Sequence, residues 1–321
     1  MEKSTTESPN NSFSSRQPQI IYLSFLFLIE LGNALFIVDV FAEAKLEGNQ
    51  LAVIIDKEGW SSEQMQKFTR EMNFSESTFI TGSDIEKRVF KIRIFTPVGE
   101  LPFAGHPTLG TAYVAAKELI KKSASDLTLD MKAGMIPVAF QKTSDGQQLL
   151  WMKQLNPEFG ATHGAEDIAP MFGLKVSDID TRFPIQEVST GVWFYLIPLK
   201  TRKALKRIKL DAKAFKAYSI DKKAKWPLLF CPEPEAKGNQ LKARMVTDWT
   251  EDPATGSANG CLAGYLVKYR YFGSPKIDIR VEQGAEINRP STLYLQAEEV
   301  KNGIDVRVGG KVTMVARGEV V

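Results

Sequence analysis

The sequence predicts an α+β protein built from two similar domains. Strand patterns occupy most of the chain from Leu35 onward, only three segments have the spacing of longer helices, and one half repeats the other at a shift of 151 residues. A chain of 321 residues is also long enough for two domains with cores of their own.

The elements of this prediction follow from hydrophobic periodicity and turn residues. Strands are expected at 35–41, 51–55, 74–80, 90–95, 126–154, 191–199, 227–231, 241–247 and 276–321, and helices at 61–72, 107–119 and 258–269. The stretch 156–189 looks looser, so the expected domains are 35–155 and 156–321, where the last strand could return to the first domain.

Residues 1–34 are expected to be a disordered or signal-like extension. Residues 1–19 are polar and hold too few apolar residues to fold. The apolar run 20–29 is half the length of a bilayer span, which needs about 20 residues, so no membrane span is predicted. A basic residue before this run and a small-x-small triplet after it leave secretion open, but a cytoplasmic protein is the favoured expectation.

Composition excludes several classes of protein. The net charge of +3 argues against a dedicated nucleic-acid binder, because phosphate contacts need a basic face. Two cysteines and two histidines are too few for a disulfide framework or a His-rich zinc site, so no metal is expected. The chain also lacks a Walker loop and a dinucleotide-binding fingerprint.

The internal repeat carries the functional prediction. Arg93 falls on Arg244, Glu100 on Glu251 and Gly105 on Gly256. Each copy reads as a strand, a loop and a helix start led by glycine, and the period is far too long for a solenoid. The repeat therefore predicts two domains that face each other across a cleft.

The two glycine-led helix starts predict a site for a small carboxylate-bearing substrate. First-turn amides have no partner within a helix, and the helix dipole is positive there. Gly105 and Gly256 allow a ligand to approach the backbone closely, and each is followed by a polar residue, His106 or Ser257. One such motif merely begins a helix, but two in register favour a carboxylate site without arginine.

Three side chains near these motifs could do chemistry. Glu76 lies in a short extended segment between phenylalanines, where burial would raise its pKa and suit it to general acid/base work, although a surface glutamate is the commoner interpretation of the pattern alone. Asp252 could bind an amine or hydroxyl, or be a turn residue before proline. His106 could donate a hydrogen bond or carry a proton.

Six ordered segments carry a family resemblance. They are Val38-Asp39-Val40-Phe41, Gly48-Asn49-Gln50-Leu51-Ala52-Val53, Asn73-Phe74-Ser75-Glu76-Ser77-Thr78-Phe79, Phe95-Thr96-Pro97, Glu100-Leu101-Pro102-Phe103-Ala104-Gly105-His106-Pro107-Thr108-Leu109-Gly110 and Asp252-Pro253-Ala254-Thr255-Gly256-Ser257-Ala258, followed in the tail by Gln283-Gly284 and Arg289-Pro290-Ser291. From about Leu35 to its end, the chain resembles the PhzF-like isomerases, the phenazine-biosynthesis-like proteins.

The resemblance implies a diaminopimelate-epimerase-like fold, with two pseudo-symmetric domains that each wrap a β-sheet around a central helix. It also implies a cofactor-independent isomerase that is commonly a homodimer. The family's acid/base glutamate falls on Glu76. Its substrate-contacting positions fall on Gly105, His106, Asp252, Gly256 and Ser257.

The functional prediction is therefore proton transfer by one glutamate within a small unsaturated or aromatic-like amino or hydroxy acid. An epimerase or racemase that uses Glu76 and His106 is an alternative, and a non-catalytic protein that binds small anions is another. The two helix starts carry no cysteine, which argues against a racemase with two thiols.

Overall fold

The computed structural model describes Met1 and residues 32–143, 146–248 and 250–321. The predicted N-terminal extension therefore lies almost entirely outside the described residues. The first strand begins at Asn33, two residues before the strand predicted from the apolar pattern. Among the described residues, no helix combines the length and apolar character needed to cross a bilayer.

Strands dominate the described part of the chain. They are β1 (Asn33–Val40), β2 (Asn49–Ile55), β3 (Glu76–Asp84), β4 (Val89–Thr96), β5 (Gly99–Leu101), β6 (Asp126–Met131), β7 (Gly134–Lys142), β8 (Gln148–Lys153), β9 (Glu158–His163), β10 (Ile185–Ser189), β11 (Trp193–Pro198), β12 (Trp226–Cys231), β13 (Leu241–Val246), β14 (Glu251–Asp252), β15 (Lys276–Gln283), β16 (Ser291–Val300) and β17 (Gly303–Val320).

The α-helices are fewer. They are α1 (Ser62–Met72), α2 (Gly105–Val114), α3 (Ala165–Ile168), α4 (Arg202–Lys206), α5 (Ala212–Ser219) and α6 (Gly256–Lys268). A π-helical turn, Ala115–Ile120, continues α2, and short 3₁₀ turns lie at Ala169–Phe172, Val176–Asp178 and Ala285–Ile287.

The sheet is mixed, and its pairing follows a similar order in both halves. In the first half, β2 pairs with β3 in parallel, β3 with β4 antiparallel, and β4 with both the β5 hairpin and parallel β6. The second half has the same order of directions: β11 pairs with β12 in parallel, β12 with β13 antiparallel, and β13 with both antiparallel β14 and parallel β15. Strand β17 then pairs with β1, β8 and β16, so hydrogen bonding joins both ends of the described fold.

The two helices that start at glycine are buried against this sheet. Helix α2 contacts β1, β2, β3, β8 and β17, and α6 contacts β10, β11, β15, β16 and β17. Both helices are apolar around most of their circumference, as expected for helices surrounded by other elements. Their first turns are consequently held in place by the main core rather than by exposed loops.

The predicted helix 61–72 is confirmed, and the others differ at their ends. Ser61 caps α1 in a capping box with Gln64, while α2 and α6 each begin two residues before the predicted start, at the glycine itself. The predicted loose stretch 156–189 is wrong, because it contains β9, two 3₁₀ turns, α3 and β10. Apolar residues of this stretch, among them Ile168 and Phe172, pack into a second core cluster.

Candidate active site

The first turns of α2 and α6 lie against each other. A Cβ atom added to Gly105 would lie 3.1 Å from the backbone nitrogen of Ser257 and 3.2 Å from the Cα of Gly256. Neither helix has a side-chain hydrogen bond at its N-cap, so the first-turn amides keep their capacity to bind an anion. Gly105 allows this approach, because a side chain at residue 105 would be in closer contact with the start of α6 than side chains normally are.

Glu76 begins β3 and reaches the start of α2. Its side chain is 17% exposed, and its Oε2 lies 3.5 Å from Nε2 of His106, whose side chain is 5% exposed. Neither of these two atoms has a hydrogen-bond partner among the described residues. Buried polar atoms are usually paired, so this pair of free atoms is typical of a site that receives a ligand.

Burial moves the pKa values of these two groups in opposite directions. Burial and, to a smaller extent, the negative charge of Asp252 raise the pKa of Glu76 to about 8. Burial lowers the pKa of His106 to about 3, against the opposing effect of a hydrogen bond with the Gln50 backbone. Near pH 7, Glu76 is therefore mostly protonated beside a neutral imidazole, and the two do not form an ion pair.

The raised pKa predicts how Glu76→Gln changes stability with pH. The unfolded glutamate ionises above about pH 4.5, whereas the folded one keeps its proton up to about pH 8, so the parent loses stability over this interval. Near pH 4, the variant and the parent should have the same free energy of unfolding. As the pH rises to 8, the variant should become more stable than the parent by about 1.4 kcal/mol per pH unit. Urea unfolding across pH 4–9 measures this difference. Glu71→Gln, at an exposed position of α1, is the control. A constant difference across that range would contradict the buried, protonated state.

Asp252 is held beside Glu76 by residues from both halves of the chain. Asn49 Nδ2 donates to Asp252 Oδ1 at 2.8 Å, and the Thr255 hydroxyl donates to Oδ2 at 2.6 Å. Burial raises the pKa of Asp252, and these two hydrogen bonds act in the opposite direction. The carboxylate is thus fixed in position, and its oxygens can still accept a further hydrogen bond.

Gln283 secures the loop between Asp252 and α6. Its Nε2 donates to the Asp252 carbonyl at 2.8 Å and to Thr255 Oγ1 at 2.9 Å, and its Oε1 accepts from Asn259 Nδ2 at 3.0 Å. Sequence reasoning missed Asn49 and Gln283 as site residues. Both occur in the segments that carry the family resemblance, each next to a glycine, and that is the signal that could have found them.

An arginine–glutamate pair stabilises each of the two hairpins before the helix starts. Arg244 binds Glu251 through Nε at 2.9 Å and a terminal nitrogen at 2.6 Å, and Arg93 binds Glu100 in the same way at 2.8 and 2.9 Å. The four residues are related by the 151-residue shift. Glu251 precedes Asp252, so the second pair helps to position that carboxylate.

Other sequence candidates lie away from this arrangement. Cys261 is buried as expected, and burial raises the pKa of its thiol to about 12. His163, for which no role was predicted, has a buried side chain that is hydrogen-bonded to Glu187 and Tyr218. Among residues 32–143, 146–248 and 250–321, no group of His, Cys, Asp and Glu side chains has the geometry of a metal site.

A cavity of about 660 Å³ opens at the other end of α2. It is lined in part by Tyr113, Lys117, Lys121 and Lys122. None of the predicted site residues lines it. The candidate active site is therefore defined by the meeting of the helix starts, and not by this cavity.

The fold and the sequence match known proteins over most of the chain. The family model described as "Phenazine biosynthesis-like protein" matches residues 38–318. A trans-2,3-dihydro-3-hydroxyanthranilate isomerase of Pseudomonas aeruginosa is 34% identical over 286 residues, which cover 88% of this chain and 97% of that protein.

Solved structures share the fold. A phenazine biosynthesis protein of the PhzF family from Bacillus anthracis superposes with a TM-score of 0.82 at 25% identity, covering 91% of this chain and all of that one. A probable proline racemase from Agrobacterium radiobacter superposes with a TM-score of 0.60 at 10% identity, covering 90% of this chain and 93% of that one.

These likenesses define an isomerase with an epimerase-like fold and mixed sheets. The chain belongs to the phenazine biosynthesis-like, or PhzF-like, family.

Proposed function

We propose that this protein is a cofactor-independent isomerase that moves a proton within a small unsaturated or aromatic-like amino or hydroxy acid. Glu76 is the single acid/base. The observation that carries the proposal is a glutamate, 17% exposed, with a buried and free Oε2, a pKa raised to about 8, and a position beside two converging helix starts. A pKa near the working pH is what a proton-transfer residue needs.

In the proposed mechanism, the two helix starts bind the substrate carboxylate through Gly105, His106, Gly256 and Ser257. Asp252 and His106 orient the amine and hydroxyl groups. The ionised form of Glu76 removes a proton from a carbon next to a double bond, so that a C–H bond breaks and an O–H bond forms. The double bond shifts, and the same carboxyl group returns the proton to another carbon on that face.

The position of His106 supports transfer on one face. An epimerase needs two bases on opposite sides of the reacting carbon, whereas Nε2 of His106 lies 3.5 Å from the Glu76 carboxyl group. Burial also lowers the pKa of His106 to about 3, so its neutral ring is a weak base. The experiment described next distinguishes this mechanism from a racemase that uses both residues and from a protein that only binds anions.

The wider architecture belongs to the same proposal. The repeated order of strand pairing and the paired Arg–Glu contacts support two pseudo-symmetric domains, each with its sheet around α2 or α6. We also propose that the protein is a homodimer, as the family resemblance implies.

The test uses trans-2,3-dihydro-3-hydroxyanthranilate, the compound in the name of the Pseudomonas aeruginosa relative. Incubation in D₂O should give an isomer with a shifted double bond and at most one new deuterium, as followed by NMR and mass spectrometry. Exchange with inversion at one carbon and no shift would instead favour an epimerase. Saturable binding without turnover of this or related conjugated acids would favour the anion-binding alternative.

A further inference from the structure

A buried ion pair joins two distant parts of the chain near the candidate active site. Asp39 in β1 is 1% exposed, and its Oδ1 accepts a hydrogen bond of 2.6 Å from a terminal nitrogen of Arg289, 250 residues further along the chain. The other oxygen of Asp39 accepts from the Leu46 backbone at 2.7 Å. A buried carboxylate is costly unless it is paired and hydrogen-bonded, so Asp39 depends on this arginine.

Arg289 also binds the backbone of the loop between β1 and β2. Its Nε donates to the Gly48 carbonyl at 2.9 Å, and the terminal nitrogen that binds Asp39 donates to the Glu47 carbonyl at 2.7 Å. The Gly48 amide in turn donates to the Pro290 carbonyl at 2.9 Å. A guanidinium suits this arrangement, because its N–H groups point in fixed directions within one plane. Arg289 therefore fixes the last two residues of the loop before β2.

The residue directly after this loop is Asn49, which holds Asp252. A Cβ atom added to Gly48 would lie 2.3 Å from the carbonyl oxygen of Val40, so the chain turns back tightly onto β1. Asn49 is buried, and its Nδ2 donates to Asp252 Oδ1 at 2.8 Å and to the Ala254 carbonyl at 3.1 Å. A shift of the Gly48 backbone would therefore move the Asn49 amide away from the Asp252 carboxylate.

The turn that carries Arg289 packs against the loop that carries Asp252. The Arg289 amide donates to the Gly284 carbonyl at 3.0 Å. A Cβ atom added to Gly284 would lie 2.4 Å from the Arg289 carbonyl oxygen and 2.5 Å from that of Pro253, the neighbour of Asp252. The backbone of Arg289 is thus held beside the Asp252 loop, while its side chain holds the loop that precedes Asn49.

We propose that Arg289 is a positioning residue for the Asp252 carboxylate, and that it acts through the Gly48 backbone and the Asn49 amide. The guanidinium binds Asp39 and the carbonyls of Glu47 and Gly48, so its influence on Asp252 passes through the protein. This inference rests on the proposed function, because Asp252 binds the substrate only in that proposal. It adds a residue that controls how well the substrate is bound.

Arg289→Lys and Asn49→Ala, alone and combined, test this role. Lysine keeps a cation for Asp39, but its single ammonium group cannot bind both loop carbonyls as the planar guanidinium does. Each single substitution should raise the KM for trans-2,3-dihydro-3-hydroxyanthranilate by about 3- to 10-fold, with a much smaller change in kcat, because it weakens substrate binding. The double variant should have the KM of Asn49→Ala alone, because the two residues act in series.

A second variant tests the same role without a buried unpaired charge. Arg289→Met combined with Asp39→Asn removes both members of the ion pair, so that the fold does not have to hold a lone carboxylate. It should raise KM as Arg289→Lys does, because both variants lose the contacts with the Glu47 and Gly48 carbonyls. This variant decides the question if lysine at residue 289 does not support folding.

Arg182→Lys is the matched control. Asp180 is buried like Asp39, and it accepts from two nitrogens of Arg182 at 2.8 and 2.7 Å. This pair lies away from the helix starts, since the adjacent Phe183 ring packs against Tyr271, just after the end of α6. The control should leave KM and kcat unchanged. A KM that rises equally in Arg182→Lys and Arg289→Lys would contradict the positioning role.

Binding of 3-hydroxyanthranilate, a stable aromatic analogue, separates this inference from the proposed function. Its Kd, measured by calorimetry, should rise in the same variants as KM. If the parent isomerises its substrate but Arg289→Lys and the second variant leave KM and Kd unchanged, or the losses of Arg289→Lys and Asn49→Ala multiply, the positioning role is wrong and the function stands. If Kd follows the expected pattern without turnover of any conjugated acid, the positioning role stands and the catalytic proposal fails. A parent that neither binds the probe nor isomerises the substrate overturns both.

Discussion

Glu76→Gln should reduce turnover of trans-2,3-dihydro-3-hydroxyanthranilate by about 10³-fold or more. The amide keeps the size of the side chain but cannot accept a proton from carbon, and loss of a general acid/base typically costs 10²- to 10⁴-fold. Because the proposal assigns the proton transfer to Glu76 alone, a value at the upper end is expected. Steady-state kinetics with both proteins at equal concentration give the measurement.

The fold should survive this substitution, so a loss of activity will reflect the loss of the acid/base group and not unfolding. Glu76 forms no hydrogen bond through its free Oε2, and Glu76→Ala should likewise abolish turnover with a nearly unchanged melting temperature at acidic pH. Glu187→Gln is the control, since Glu187 is also buried but pairs with His163 away from the helix starts. Turnover that persists in Glu76→Gln, or unfolding of both Glu76 variants, would make Glu76 a structural residue.

Arg244→Met should destabilise the protein strongly, by about 3–5 kcal/mol, because it leaves a buried carboxylate without its partner. Arg244 and Glu251 are 10% and 7% exposed, and Arg244 also donates to the Leu205 and Lys206 carbonyls at the end of α4. The same change should disturb Asp252, the neighbour of Glu251 in β14. Urea unfolding measures the first effect, and the KM for the substrate measures the second.

The Arg93–Glu100 pair, which corresponds to Arg244–Glu251 at the 151-residue shift, supplies the internal control for this experiment. Arg93 and Glu100 have the same bidentate geometry but are 28% and 27% exposed, so Arg93→Met should cost only about 1 kcal/mol or less. In the second copy, Arg244→Met combined with Glu251→Leu should recover part of the loss, because an apolar pair removes the unpaired charge. Equal losses at Arg93 and Arg244 would contradict the assignment of the effect to burial.

Local sequence was sufficient for the features that depend on neighbouring residues. The capping of α1 by Ser61, the strands before each glycine-led helix, and the family resemblance were all present in short segments. Glu76 could be singled out because hydroxyl and aromatic residues flank it. The residues that flank Glu76 do not predict how far it is buried, because its burial depends on strands and helices that are distant in the sequence.

Residues 156–189 show where pattern reasoning failed. Their prolines and glycines suggested a loose connection, yet Ile168 and Phe172 are fully buried in a cluster with Phe215 and Leu229. These partners are distant in sequence, so no local period reveals the packing. The network around Asp252 was missed for the same reason, since Asn49 and Asp252 are 203 residues apart.

The order of residues alone thus predicted an α+β chain with an internal repeat, its family resemblance, and the residue types available for proton transfer. Packing in three dimensions brought the two helix starts into contact and buried most of Glu76 beside His106. Burial and long-range contact arise only when distant segments exclude water together, and the proton affinity of a carboxyl group depends on that exclusion.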